Sequence, residues 1–225
     1  MNDLNKKAYA GLLRLLVSLA GLLFLPAGTL DYWEAWVLLT VFFTPALAIT
    51  VYLAKKDPKL LERRTKAGFG AEKEGKQNVI QLLAMIAFVA AFVLPAIDHR
   101  FAWSRVPLCV AIAGDILVGL GFLIVFFVFK ENTYASAIIE LDAEQKTITT
   151  GPYAFVRHPM YAGALVMLVG IPLALGSWWG LVTIIPMTLV MAWRLLEEER
   201  FLSKNLAAYV DYQNKVQYRL LPFIW

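Results

Sequence analysis

The chain has 225 residues, of which 60% are hydrophobic and 17% charged, with a formal charge of +4 and a mean hydropathy of +0.62. These values exclude an ordinary soluble domain and place the chain among membrane proteins. The basic residues follow a membrane pattern rather than a nucleic-acid footprint. The single cysteine, Cys109, excludes an intrachain disulfide and a cysteine-built metal site.

In chain order, the apolar stretches predict spans over Ala8–Leu25, Trp33–Leu53, Val79–Ile97 and Val106–Phe129. A shorter third pair follows, Met160–Leu175 and Trp179–Arg194, joined by "GSWWG" and expected to form an antiparallel hairpin. The first stretch follows Lys6 and Lys7 and reads as an uncleaved helix, because no small-x-small cleavage site follows it. "PAG" at Pro26 breaks that helix, and Trp33 and Trp36 suit an interfacial aromatic belt. Residues 55 to 76 carry eight Lys/Arg against four acids, whereas the loop between the first two spans has Asp31, Glu34 and no base. The positive-inside rule then puts the polar loop 55–78 in the cytoplasm, solvated, with both termini on that side.

The fold class expected is an all-α integral membrane protein, a bundle of five to six transmembrane helices. Residues 1–225 form one membrane domain, with four helices in 1–129 and a distinct region in 130–225. Within that region, β-prone runs at Ile138–Leu141 and Lys146–Thr149 flank a polar turn and predict a short cytoplasmic hairpin. Pro159 is placed to open the fifth helix, where its missing N–H costs nothing. Beyond Arg194, the stripe Leu195, Leu202, Leu206, Tyr209, Val216 predicts an amphipathic continuation of the sixth helix, folding back to an apolar tail at Pro222.

The chemistry-bearing residues are few. No Gly-rich loop between strand and helix is present, and Gly119 and Gly121 sit in an apolar helix where small residues favour close packing. With two histidines and no H-E-x-x-H pattern, no metal site is expected. Asp115 stands inside the fourth span, where an acid is either functional or tied by a structural hydrogen bond. His99 falls in a short outer loop and reads as solvated. The remaining cluster joins Arg157 and His158, before the fifth helix, to Arg194, Glu197, Glu198 and Glu199, after the sixth. Arg157 alone reads as an interfacial anchor and the glutamates alone as a solvated face. Together they are able to hold a zwitterion, with carboxylates for an ammonium and Arg or His for a carboxylate.

The run "GPYAFVRHPMYAG", followed by "RLLEEERFL" and then "AAYVDYQNKVQYRLLPFIW", resembles the isoprenylcysteine carboxyl methyltransferase family over residues 130 to 225. Phospholipid methyltransferases are more distant relatives. The resemblance implies a membrane enzyme that binds S-adenosyl-L-methionine without a Rossmann fold and methylates a lipophilic or amphiphilic acceptor, most readily a carboxylate. It implies cofactor contacts from Gln145, Lys146, Thr147, Ile148, Tyr153, His158, Pro159, Met160, Tyr161, Glu198 and Glu199, and a substrate contact from Arg194. No catalytic residue is assigned, because alignment of donor and nucleophile does the work. The partners implied are a lipid or lipophilic substrate and membrane lipids, without nucleic acid, and the cofactor site is expected to be cytoplasmic. The lean composition and lack of organellar signals suggest a prokaryotic inner membrane.

Two other classes compete. Sterol and steroid reductases, which use NADPH, share a similar turn and tail but favour Asn before the tyrosine, where this chain has Met160. A non-catalytic small-molecule-binding membrane protein on the same scaffold is the third reading.

Overall fold

The computed structural model describes residues 3–65, 75–139 and 146–225. Eight α-helices run in the order α1 (Asp3–Ala27), α2 (Trp33–Lys56), α3 (Pro58–Thr65), α4 (Gly75–Phe101), α5 (Leu108–Glu131), α6 (Pro159–Ala174), α7 (Ile184–Asn205) and α8 (Ala207–Lys215). Short 3-10 turns at Gly151–Ala154 and Trp179–Thr183 precede α6 and α7.

Among the described residues, five helical stretches are long and apolar enough to cross a membrane: α1, α2, α4, α5 and Trp179–Asn205. α6 has only 16 residues, about 24 Å of helix at 1.5 Å per residue, which is short of the ~30 Å hydrocarbon core. The all-helical membrane architecture expected from composition is therefore present, with five full-length candidates and one shorter helix. Leu13, Val17, Leu25, Ile86, Ile116 and Ile185 are exposed on the outside of the bundle, as side chains solvated by lipid require. Leu19, Leu23, Leu38, Phe92 and Val118 fill its core.

The turn signals fall where expected. Gly28, at φ +69°, ends the first helix in the left-handed region open to glycine. Pro159 opens α6 as its first residue. The segment between α2 and α4 is not simply solvated. Asp57 caps the backbone N–H of Leu60 at 3.0 Å and starts α3, which buries Leu60 and Leu61.

The partner of α6 differs from expectation. It lies antiparallel along α5, where Gly114 faces Gly170 and Gly121 faces Gly163. A Cβ on Gly114 would stand 2.3 Å from Ala174 N, and one on Gly121 would stand 2.6 Å from Gly163 O, so backbone meets backbone. Small residues at a seven-residue spacing allow this approach, and it outcompetes a tight α6–α7 hairpin. Gly119, by contrast, has nothing within 4 Å of its Cβ position, so only half of the G-x-G serves packing.

The hairpin expected over 138–149 also fails to appear: none of the described residues there is in a strand, and 140–145 lie outside the described residues. The carbonyls of Ser136 and Ala137 are instead taken by Arg64 Nη1 at 3.1 Å and Arg194 Nη2 at 3.2 Å. Arginines replace the neighbouring strand as hydrogen-bond partners. The predicted single C-terminal stripe is broken too. Leu206 is extended, at φ −132° and ψ 96°, and separates α7 from α8.

At the opposite end, the α6–α7 connection is tied down by Asp98, which accepts from Ser104 N at 2.7 Å, Ser104 Oγ at 2.6 Å and Ser177 Oγ. Tyr32 Oη donates to Leu175 O at 2.8 Å. His99 is not a solvated loop residue: it belongs to the last turn of α4 and stacks on Tyr32 at 3.9 Å. This fastening fixes where α7 begins, and so which of its residues meet α6 at the polar end.

Candidate functional site

At the polar end, two cavities share a wall. The first lies between residues 132–139 and 146–148, the turn before α6, and the end of α7 with α8. Its empty space is about 820 Å³, the solvent-open mouth included. The second opens between α3, α4, α6 and α7. Ser136, Ile138, Ile139, Met160, Tyr161 and Glu198 line both.

Most of the predicted site residues gather here. Lys146, Thr147, Ile148, Tyr153, His158, Pro159, Met160, Tyr161 and Glu198 line the first cavity. Gln145 lies outside the described residues. Arg194 lines the second cavity and not the first. On the shared wall, Tyr161 Oη donates to Glu198 Oε2 at 2.8 Å, while Arg194 Nε donates to Tyr161 Oη at 3.2 Å. One phenol thus connects an acid facing both cavities to a cation facing the second.

Glu199 does something different from its neighbour. It lines neither cavity and sits among two guanidiniums and an imidazole. Oε1 accepts from Arg157 Nε at 2.6 Å and lies 3.3 Å from His158 Nε2, and Oε2 accepts from Arg219 Nε at 2.9 Å. Arg157, His158 and Glu199 are only 7%, 5% and 5% exposed. A buried carboxylate needs such a set of donors, because an unpaired charge there is costly. Arg157 is therefore a keystone of the turn, not an interfacial anchor: its Nη1 also donates to the carbonyls of Val216 and Gln217 at 2.7 and 2.9 Å. The backbone repeats the join, with Arg157 N and His158 N donating to Tyr218 O and Arg219 O, both at 2.9 Å. The chain's last ten residues are thereby strapped to the turn that enters α6.

Tyrosines complete the first cavity. Tyr209 and Tyr212, three residues apart on one face of α8, are both buried and line it. Tyr212 Oη donates to Tyr153 O at 2.7 Å, and Asn132 Nδ2 donates to Tyr153 Oη at 2.8 Å. Burial pushes the Tyr153 phenol up to about 12, with the Asn132 hydrogen bond working against the rise and Glu198 adding to it. Burial likewise raises Tyr209 and Tyr212 well above the ordinary phenol value. All three remain neutral donors. Thr147 Oγ1 is buried without a hydrogen-bond partner among the described residues, which leaves a hydroxyl to serve a ligand.

Sequence reasoning missed several contributors. Arg64 was hidden in a basic loop, and only the Asp57–Pro58 helix start with Leu60–Leu61 signalled that α3 would dock. Arg219 had no local signal, because its partner Glu199 is 20 positions away. Leu202, Leu206 and Tyr209 read as a packing stripe and Tyr212 carried no reading, yet all four line the cavity.

Asp115 stays apart from this end. Its Oδ1 is buried and has no hydrogen-bond partner among the described residues, so the structural hydrogen bond considered for it is not seen there.

The phospholipid methyltransferase family matches residues 109–208, from the second residue of α5 to the second of α8. No curated protein matches the chain. The matched stretch starts ahead of residue 130 and takes in the close-packed α5–α6 pair, the turn before α6 and the shared wall at Tyr161 and Glu198. The match covers somewhat under half of the chain, and over it the chain is similar to the phospholipid methyltransferase family.

Proposed function

We propose that the chain is a membrane methyltransferase that binds S-adenosyl-L-methionine in the first cavity and methylates a lipophilic or amphiphilic acceptor held in the second. The observation that carries this reading is the shared wall of Met160, Tyr161 and Glu198, which lets two ligands approach one another without a connecting tunnel.

The residues fit such a cofactor. Glu198 offers a carboxylate to a cationic group, the unpartnered Thr147 hydroxyl offers a hydrogen bond, and Ile148, Leu202 and Leu206 offer apolar walls for a purine. When bound, the cofactor supplies an electrophilic methyl group on a sulfonium.

The chain's own part is alignment, worth up to roughly 7–11 kcal/mol in well-oriented systems. Arg194 holds an anionic group of the acceptor, Tyr161 fixes Arg194 and Glu198 relative to each other, and His158 is held by Glu199. Excluding water does not oppose the reaction when a carboxylate meets a sulfonium, since charge is neutralised. A carboxylate acceptor needs no base, and none is assigned. A second acceptor class, an amine headgroup whose phosphate rests on Arg194, is favoured by the family matched. With Lys55, Lys56, Lys59, Arg63, Arg64 and Lys76 at the same end as the site, the positive-inside rule favours cofactor binding on the cytoplasmic face.

Binding of S-adenosylmethionine and of NADPH to detergent-purified protein tests the proposal, with wild type beside His158→Ala and Glu198→Ala. The sulfonium cofactor is expected to bind wild type and to bind both variants more weakly. Selective binding of NADPH would move the reading to a reductase, and binding without turnover to a non-catalytic binder.

A further inference from the structure

Among the described residues, the lining of the second cavity carries two guanidiniums and one carboxylate. Its lining has the guanidinium of Arg194, the carboxylate of Glu198, and a further guanidinium, Arg64, delivered by α3 from the half of the chain outside the family match.

Arg64 makes no ion pair with a carboxylate among the described residues. Its Nη1 donates to Ser136 O at 3.1 Å and lies 3.9 Å from Met160 Sδ, and its guanidinium sits 5.2 Å from the Phe129 ring centroid. One carbonyl, one thioether and one ring face leave most of a five-donor fork unused. Burial lowers the Arg64 guanidinium from its ordinary value, nearby Tyr161 opposes that, and Arg194 adds to it. A guanidinium carries this cost where planar recognition of a carboxylate or phosphate repays it.

Beside Gln81 and Ser136, apolar side chains supply much of the cavity's remaining lining. Ile80, Ala84 and Met85 from α4 line it, and Met85 is 49% exposed on the outer face of a membrane-crossing helix. An oxyanion-sized cationic end and a hydrophobic flank open toward lipid describe the two parts of an amphiphile.

We propose that Arg64 is a specificity-determining residue for the acceptor: with Arg194 it recognises an oxyanion, carboxylate or phosphate, at the head of a lipophilic molecule lying against α4. Calling that molecule the acceptor rests on the methyltransferase reading; the anion site itself does not.

The test uses the full-length protein in nanodiscs and three probes of equal chain length: hexadecanoate, hexadecyl phosphate and the uncharged hexadecanamide. Hydrogen exchange over residues 58–65 reports probe binding, and S-adenosylmethionine binding is measured in parallel. In wild type, one or both anions slow exchange in α3 and the amide does not. Hexadecanoate alone identifies a carboxylate lipid, and hexadecyl phosphate alone a phosphate headgroup. Arg64→Gln weakens anion binding about tenfold or more and leaves S-adenosylmethionine affinity unchanged. Arg64→Lys, which keeps the charge and loses the fork, falls between the two.

Protection by the amide equal to that by the anions, or anion binding undiminished in both variants, overturns the proposal. If Arg64→Gln does not fold, the wild-type probe comparison and Arg64→Lys still decide. Failure of wild type to bind S-adenosylmethionine, with anion protection intact, removes the methyltransferase reading and supports the anion site alone.

Discussion

The hydroxyl of Tyr161 donates to Glu198 Oε2 at 2.8 Å, joining the first turn of α6 to α7 across 37 positions of sequence and standing between the two cavities. That bond fixes an acid toward the first cavity and, through Arg194 Nε, a cation toward the second.

Tyr161→Phe keeps the ring and removes both bonds. A hydrogen bond to a charged group contributes about 1.5–3 kcal/mol, so S-adenosylmethionine affinity should fall by roughly ten- to a hundredfold. Calorimetry on the purified variant checks this; an unchanged affinity would mean that Glu198 needs no positioning.

Arg157→Met should unseat the C-terminal strap. Removing one member of a buried charge cluster costs about 3–5 kcal/mol, and here the carbonyls of Val216 and Gln217 lose their donor as well. The expected results are a lower thermal midpoint in detergent and faster tryptic cleavage after Lys215 and Arg219. A variant as protease-resistant as wild type would show that the tail is held by something else.

The two α5 glycines make a controlled pair. Gly114→Ala places a methyl where Ala174 N stands 2.3 Å away, against backbone that has nowhere to go. Overpacking of this kind costs typically about 1–3 kcal/mol. Gly119→Ala meets nothing within 4 Å and should leave stability unchanged or slightly raised, since helical glycine is the costlier residue. Thermal stability of both, measured side by side, would contradict the α5–α6 packing if the order were reversed.

Tyr153 gives the structure a pH limit. Its phenol is held up at about 12 against an ordinary 10.0, so above about pH 10 the unfolded chain loses this proton before the folded one does. Fewer protons on the unfolded state means that stability falls as pH rises through that window. Urea or thermal melts between about pH 9 and pH 12 should show the decline, shallower in Tyr153→Phe. An equal slope in both proteins would place Tyr153 in solvent.

Much of this was legible in the sequence because bilayer physics is written in composition. Runs of about 20 apolar residues specify spans directly, and Pro159 and "PAG" mark ends by backbone chemistry that tertiary contacts do not override. The grouping of His158, Tyr161, Arg194 and Glu198 was legible as well, because the fastening at Asp98 brings the end of α7 back to the start of α6. What sequence spacing did not carry was helix partnership. Gly114, Gly121, Gly163 and Gly170 drew α6 onto α5, and close backbone approach is a property of a pair of helices rather than of one. Glu198 and Glu199 looked equivalent as adjacent acids, yet about 100° of helical rotation sends one to the cavity and the other to Arg157. Arg64 was illegible for a similar reason: a lone arginine in a basic loop reads as topology until its helix is seen to dock.

The central claim is that a methyl donor in the first cavity and a lipophilic acceptor in the second meet across Tyr161 and Glu198. The most direct measurement is transfer of label from methyl-labelled S-adenosylmethionine into a membrane lipid extract, by wild type and by Glu198→Gln. Wild type should label a lipid fraction, base-labile for a carboxyl ester and base-stable for a methylated amine, and Glu198→Gln should lose most of that activity while remaining folded. Absence of lipid labelling by folded wild-type protein that binds the cofactor, or full activity in Glu198→Gln, would contradict it.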